Sequence, residues 1–114
     1  MEIKNVREQI TKKELEDITR EGYGDLVKAV IDLTQGIMAV GGEMHADEEQ
    51  ILLAQGSKQQ DLWGINLYPE NSGEGFIEFD SMINLRPSQG NRSRSVEDAA
   101  TREKIKTLVA RMII

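Results

Sequence analysis

The sequence predicts an α+β domain in which a largely antiparallel sheet of two hairpins, with a candidate short N-terminal strand, packs against two or three helices. Three observations predict this class. Glycine-containing turns join apolar runs, as in β-hairpins. Several runs alternate apolar and polar residues with period two, which is typical of strands. Capping residues followed by apolar residues at helical spacing indicate the helices.

The first half of the chain contains a strand and a helix with recognisable boundaries. Residues Glu2–Arg7 form the candidate first strand. The segment Thr11–Glu14 matches a capping box and predicts a helix over residues 12–21. We expect this helix to end near Gly22 and Gly24, since glycine commonly terminates helices.

A hairpin and a second helix should follow. Leu26–Leu33 and Ile37–Val40 are joined by three residues that end in Gly36, which predicts a hairpin with this glycine in a left-handed conformation. Asp47 is placed to cap a short helix over residues 48–55.

The second half predicts another hairpin and a final helix. The strand candidates are Leu62–Tyr68 and Phe76–Arg86, each followed directly by a proline that cannot donate to a ladder. Ser95 is predicted to cap the last helix, whose first turn contains acidic residues. The apolar stripe of this helix has helical spacing and consists of Ile105, Leu108, Val109 and Met112.

The composition excludes several kinds of site. The chain has 114 residues, which predicts a single domain over residues 1–114 with its own core. It has no cysteine, which excludes disulfides, thiolate zinc sites, iron–sulfur clusters and cysteine nucleophiles. Its single histidine excludes a multi-histidine metal site within one chain. We therefore expect no cofactor.

Charge is distributed unevenly along the chain. The net charge is −6, but residues 1–80 contain 17 acidic and 7 basic residues, whereas residues 81–114 contain 3 acidic and 7 basic ones. A C-terminal third of +4 on a body of −10 favours an anion-binding surface, although the two parts can also neutralise each other in the fold. The charged start and the short apolar runs predict a cytoplasmic protein with no membrane partner.

One face of the predicted sheet collects polar residues. If Leu62–Tyr68 and Phe76–Arg86 pair, their apolar side chains form the core face against the helices. The opposite face then contains Asn66, Tyr68, Glu78, Asp80, Asn84 and Arg86. Such a face is by default solvated. Asparagine and aspartate are disfavoured within strands, however, so the presence of Asn66, Asp80 and Asn84 favours a functional face. Its candidate ligand-binding residues are Asn66, Tyr68 and Asn84.

The arginine-rich segment Arg86–Ser95 connects the predicted strand to the predicted helix start. Helix N-termini bind anions, and guanidinium groups match phosphate and carboxylate geometry. The candidate ligand-binding residues here are Arg86, Ser88, Gln89, Asn91, Arg92 and Arg94. Alternatively, these arginines pair with the acidic body. The chain has only five aromatic residues, which argues against a nucleic-acid partner.

The single histidine, His45, lies among acidic residues before the predicted second helix. A general acid–base or catalytic role with Asp47 and Asp80 is one interpretation, and a divalent metal held by His45 with Asp47, Glu48 or Asp80 is another. Neither has a recognised spacing. The simpler interpretation makes Asp47 a helix cap, Glu48 a first-turn acid and His45 a turn residue.

The chain resembles a bacterial family of small proteins of unknown function that is frequent in cyanobacteria. The resemblance covers roughly residues 25–110 and rests on three blocks of sequence, GGEMHADEE, LWGINLYP and IEFDSMINLRPSQGNRSRS. It implies no activity, substrate or cofactor, and therefore assigns no residue a role.

Three functional hypotheses follow. The first is a small binding or regulatory domain that recognises an anionic ligand or partner through the arginine-rich loop at a helix N-terminus. The second is a hydrolase or phosphoryl-handling enzyme that uses His45. The third is a structural homo-oligomer joined by the polar strand face or by the final helix, because the tail Val109–Ile114 is apolar.

Overall fold

The computed structural model describes residues 2–114 and contains one five-stranded antiparallel sheet and three α-helices. This confirms the predicted α+β class. The strand order is β1-β3-β2-β4-β5. The elements along the chain are β1 (Lys4–Val6), α1 (Lys12–Glu21), β2 (Val27–Asp32), β3 (Ile37–Val40), α2 (His45–Ala54), β4 (Leu62–Leu67), β5 (Ile77–Glu78) and α3 (Ala99–Met112).

The N-terminal elements follow the predicted signals. The candidate first strand pairs with β3 at the sheet edge. The Thr11 side chain accepts a hydrogen bond from the Glu14 amide at 3.0 Å, so the predicted cap begins α1. The β2–β3 hairpin is also confirmed, with Gly36 at φ +67°. The Asp32 carboxylate stabilises this turn by accepting from the amides of Thr34 and Gln35, each at 2.9 Å.

Helices cover both faces of the sheet, which corrects the expectation that they lie on one. Side chains from α1 and α3 pack with one face in a cluster that includes Leu15, Ile31, Ile65 and Ile105. The other face packs against α2 through a smaller cluster that includes Val30 and Leu52. The predicted open polar face is therefore largely covered in this part of the sheet.

Helix α2 begins earlier than the sequence predicts. Its first residue is His45, and Met44 precedes it as a cap without a side-chain hydrogen bond. Asp47 is thus not the cap but an exposed residue of the first turn. The helix extends upstream because its inner face, His45, Glu48 and Leu52, is buried against the sheet.

The predicted strand Phe76–Arg86 is wrong beyond Glu78. Strand β5 has only two residues, and the chain then forms a short 3-10 turn at Met82–Asn84. Asn84 replaces a strand backbone by pairing its side-chain amide with Gly64 of β4 in both directions, at 2.8 and 2.9 Å. Side-chain pairing therefore satisfies the edge of β4 where the sequence predicts a ladder.

Helix α3 begins later than predicted, at Ala99. Asp98 is its cap and accepts from the Thr101 amide at 2.9 Å, so the predicted cap at Ser95 is wrong. Val96 is fully buried, and this anchors the preceding segment as an extended connection. The four residues of the predicted apolar stripe are all buried. None of the helices within residues 2–114 has the length and apolar character needed to cross a membrane.

Candidate functional site

The segment from Arg86 to Ser95, which we call the arginine loop, is closed by its own backbone. The amide of Arg86 donates to the Asn91 carbonyl at 2.8 Å, and the Asn91 amide donates back at 3.1 Å. Between them lies a 3-10 turn, Pro87–Gln89, followed by Gly90 at φ +81°. This left-handed position favours glycine and makes the tight return possible.

The half-buried guanidinium of Arg86 donates its hydrogen bonds to backbone carbonyls of the protein. Its Nε donates to the Ile83 carbonyl and one Nη to the Gln59 carbonyl, both at 3.0 Å, while the other Nη donates to Leu62. The group also lies 4.5 Å from the centre of the Trp63 ring, a cation–π contact. Burial lowers the pKa of Arg86. Its donors are thus occupied by the Ile83 carbonyl and by carbonyls at or just before the start of β4.

Asn91 holds the middle of the arginine loop. Its side-chain nitrogen donates to the carbonyls of Asn84 and Ser95, both at 2.7 Å, and its side-chain oxygen accepts from the Glu97 amide at 2.9 Å. The residue is buried. Because buried polar groups are costly to leave unpaired, this side chain fixes the shape of the loop.

Arg92 and Arg94 are the exposed guanidinium groups of the arginine loop. Arg94 donates to the Asp80 carboxylate at 2.8 Å in a largely exposed pair. The Arg92 side chain makes no hydrogen bond or ion pair with any residue from 2 to 114, although its amide donates to the Glu97 carboxylate at 3.2 Å. Ser88 and Gln89 are also exposed.

The predicted helix N-terminus is not part of the arginine loop. Residues 96–98 separate the loop from α3, and the carboxylate of Asp98 already occupies the free amide end of that helix. The hydrogen bonds of Thr101 to Asp98 lower the pKa of this carboxyl and favour its charged form. The donors available to an anion are therefore guanidinium groups of the loop rather than the helix end.

Asn66, Tyr68 and Glu78 form a second polar group at the β4–β5 edge. The Asn66 side chain donates to the Glu78 carboxylate at 2.8 Å and to the Asp80 carbonyl at 3.3 Å. The Tyr68 hydroxyl donates to the same carboxylate at 3.1 Å. Burial and this carboxylate raise the pKa of Tyr68. The predicted proximity of these side chains holds, but Asn84 does not join them because its side chain pairs with Gly64.

His45 is buried under the first turn of α2. Its Nε2 lies 2.8 Å from the Ile65 carbonyl, and burial, the largest influence, lowers its pKa. The nearby charge of Lys28 lowers the pKa further, while Asp80 raises it. Arg86 contacts the carbonyl of Leu62, whereas His45 contacts that of Ile65, three residues further along β4. The two contact points are therefore roughly 10 Å apart along the strand. His45 and Arg86 therefore do not share a site.

The surroundings of the histidine bear on the metal hypothesis. Across residues 2–114, no three histidine, aspartate or glutamate side chains converge to hold an ion. Asp47 is exposed on α2, whereas the Asp80 carboxylate pairs with Arg94.

Glu48 is a buried carboxyl that the sequence does not reveal. One of its oxygens accepts from the Gly42 amide at 3.0 Å, and the other has no partner among the described residues. Burial raises the pKa of Glu48 well above its ordinary value. Its spacing of three from His45 and four from Leu52 is the one available signal that it faces inward.

Comparison with known families identifies the chain at the level of its relatives. The model of the family described as "Protein of unknown function (DUF5674)" matches residues 4–112. The chain belongs to this family. It matches no curated protein and no solved structure.

Membership confirms the resemblance to an uncharacterised family and extends it towards the N-terminus over β1 and α1. It assigns no residue a role. The bacterial origin and the three sequence blocks as family signatures stay predictions.

Proposed function

We propose that the protein is a small binding domain that recognises an anionic small molecule through Arg92, with Arg94, on the outer surface of the arginine loop. The observation that supports this most is Arg92 itself. It is an exposed guanidinium without a hydrogen-bonding partner in residues 2–114, displayed by a loop whose backbone is fixed from inside.

The rigidity of the arginine loop favours binding. Arg86 and Asn91 direct their donors to carbonyls, so we assign them a supporting role beneath the surface. A loop that is already ordered loses little conformational freedom when a ligand arrives. Ser88 and Gln89, both exposed, are additional neutral donors for an oxyanion.

The neighbouring acids compete only weakly with an anion. Asp80 pairs with Arg94, but the two side chains are 44% and 56% exposed, and exposed pairs contribute little to stability. A phosphate or carboxylate can replace this partner, because its oxygens can accept from the guanidinium in two places whereas Asp80 accepts in one. Asn66 and Tyr68, which contact Glu78, belong to an acidic surface rather than to the anion site.

Thermal unfolding with phosphate, sulfate, nucleotides and carboxylates tests this function. A ligand present at about 100 times its dissociation constant should raise the free energy of unfolding by ~2.7 kcal/mol. Arg92→Gln should abolish the shift. Arg111→Gln, at the far end of α3, is the matched control and should retain it. The proposal fails if no anion shifts the transition or if the Arg92 variant responds as the parent does.

Self-association is a second candidate, favoured by exposed apolar side chains beside the arginine loop. Met82 is 62% and Leu85 43% exposed, and positions i and i+3 of a 3-10 turn lie on the same side. The predicted contact through the apolar tail has less support, since Val109 and Met112 are buried within the chain. Light scattering over a range of concentrations tests it: a monomer throughout would rule it out.

A further inference from the structure

A groove separates the outer edge of β5 from helix α3. It is open to solvent and has a volume of about 540 Å³, within the range of ordinary small-molecule sites. Its lining residues come from the turn before β5, from β5 with the residue after it, and from α3: Gly73, Glu74, Ile77, Phe79, Arg102 and Lys106.

The floor of the groove is apolar. Ile77 and Phe79 are only half-buried, and their inner surfaces pack against the main hydrophobic cluster. Strand β5 is the last strand of the sheet, so no further strand covers these side chains. An apolar ligand group placed here would remove their remaining surface from water.

The helical wall of the groove is basic. Arg102 and Lys106 are four residues apart and therefore project from the same side of α3. One Nη of Arg102 donates to the carbonyls of Val96 and Glu97, at 2.6 and 3.1 Å, and this fixes the guanidinium against the wall. Two cations beside an apolar floor require a ligand that is both apolar and negatively charged.

The acidic residues around the groove leave room for such a ligand. Glu74 is the one acid among the lining residues, so the lining has a net positive charge. Lys106 lies 3.2 Å from Glu103, but both side chains are largely exposed, at 45% and 72%. A ligand carboxylate can displace this exposed partner at little cost.

We infer that this groove binds an amphipathic carboxylate, a small molecule with an apolar tail on Ile77 and Phe79 and a carboxylate at Lys106 and Arg102. The inference goes beyond the proposed function because no residue of the arginine loop lines the groove. The two sites can therefore succeed or fail separately.

Titration with octanoate, followed by amide chemical shifts, tests the site. We expect saturable shifts at residues 73–79 and 102–106. Octanol lacks the charge and acetate lacks the tail, so each should bind at least tenfold more weakly. From butyrate to octanoate, affinity should rise roughly threefold to fourfold per methylene, the gain expected for burial of each apolar group.

Two lysine variants of α3 distinguish a loss of the binding charge from a general effect on the fold. Lys106→Gln should weaken octanoate binding several-fold, whereas Lys104→Gln, on the same helix but outside the groove, should not. The inference is overturned if octanol binds as well as octanoate, if Lys106→Gln has no effect, or if the shifts lie elsewhere. Shifts at the same residues caused by protein concentration alone would show a second copy in the groove and would also overturn it.

Discussion

At the residue scale, two asparagine side chains perform hydrogen bonding that backbone usually performs. Asn84 pairs with both polar groups of Gly64 and also donates to the Arg94 carbonyl at 3.0 Å. Asn91 donates to the carbonyls of Ser93 and Ser95 in the arginine loop and to that of Asn84 just before it. Asn84 was a candidate for ligand binding because asparagine is unusual within a strand, and Asn91 was one because it is a neutral donor in the arginine loop. In the structure, the hydrogen bonds of both side chains stabilise the fold of this segment instead.

Replacement of Asn84 should therefore reduce stability. Asn84→Ala leaves the amide and carbonyl of Gly64 buried without partners, and each such group costs about 1–3 kcal/mol. We expect a loss of about 2–4 kcal/mol in the free energy of unfolding, measured with urea. Asn71→Ala, which removes one exposed hydrogen bond, is the control and should change stability little. An equal effect of the two variants would contradict this role.

The buried carboxyl of Glu48 predicts a specific dependence on pH. In the unfolded chain it ionises near its ordinary pKa of 4.5, but burial keeps it protonated to higher pH in the fold. The unfolded state then binds fewer protons, so stability falls as pH rises above 4.5, by up to about 1.4 kcal/mol per unit until the carboxyl ionises in the fold.

Glu48→Gln isolates this effect because glutamine can still accept from the Gly42 amide. The difference in free energy of unfolding between this variant and the parent should grow in the variant's favour from pH 5 to pH 8. His45, whose pKa is lowered in the fold, makes stability rise with pH below 6.5. This contribution is the same in the variant and the parent, so the difference between them does not contain it. Glu43→Gln, an exposed neighbour, should follow the parent. A constant difference across this range would show that Glu48 is ionised in the fold.

At the element scale, the end of β5 shows why alternation misleads. Residues 76–86 alternate as a strand should, but Ser81 and Ile83 pack against Gly64, where β4 has no side chain. This close approach turns the chain away from the sheet edge after Glu78. Alternation of apolar and polar residues predicts which side chains are buried. It does not predict the path of the backbone, which here depends on Gly64 of β4.

Gly64→Ala tests that packing. An ideal Cβ at this position would lie 2.5 Å from the Ser81 hydroxyl and 2.6 Å from its Cβ, so the Met82–Asn84 turn must move. We expect a loss of about 1–3 kcal/mol in unfolding free energy, the usual cost of overpacking. Gly75→Ala, with no contact closer than 3.4 Å, is the control. If the Gly64 variant is as stable as this control, the turn does not depend on close approach.

The starts of α2 and α3 show a related limit. The sequence alone favours Asp47 and Ser95 as the caps, because both are residue types that commonly begin helices. Burial determines where each helix begins. His45 is buried beneath the first turn of α2, and Val96 is buried in the core before α3 begins. Thr11 and Gly36 were predicted correctly because those signals act within a single turn.

At the scale of the whole molecule, long-range packing separates residues that the sequence places together. The hairpins and the stripe of α3 follow from local patterns, and so does the contact of Asn66 with Glu78. The separation of Arg86 from His45 cannot be predicted from local patterns, because it depends on helix α2 covering the second face of the sheet. Only Arg92 and Arg94 keep exposed guanidinium groups in the arginine loop.

The central claim is that Arg92 recognises an anion on a preformed loop, and a phosphate titration followed by amide chemical shifts at low ionic strength tests it most directly. We predict saturable shifts confined to residues 88–95 that disappear in Arg92→Gln and persist in Arg111→Gln. The absence of saturable shifts in the parent, or the same shifts in the Arg92 variant, would contradict the claim.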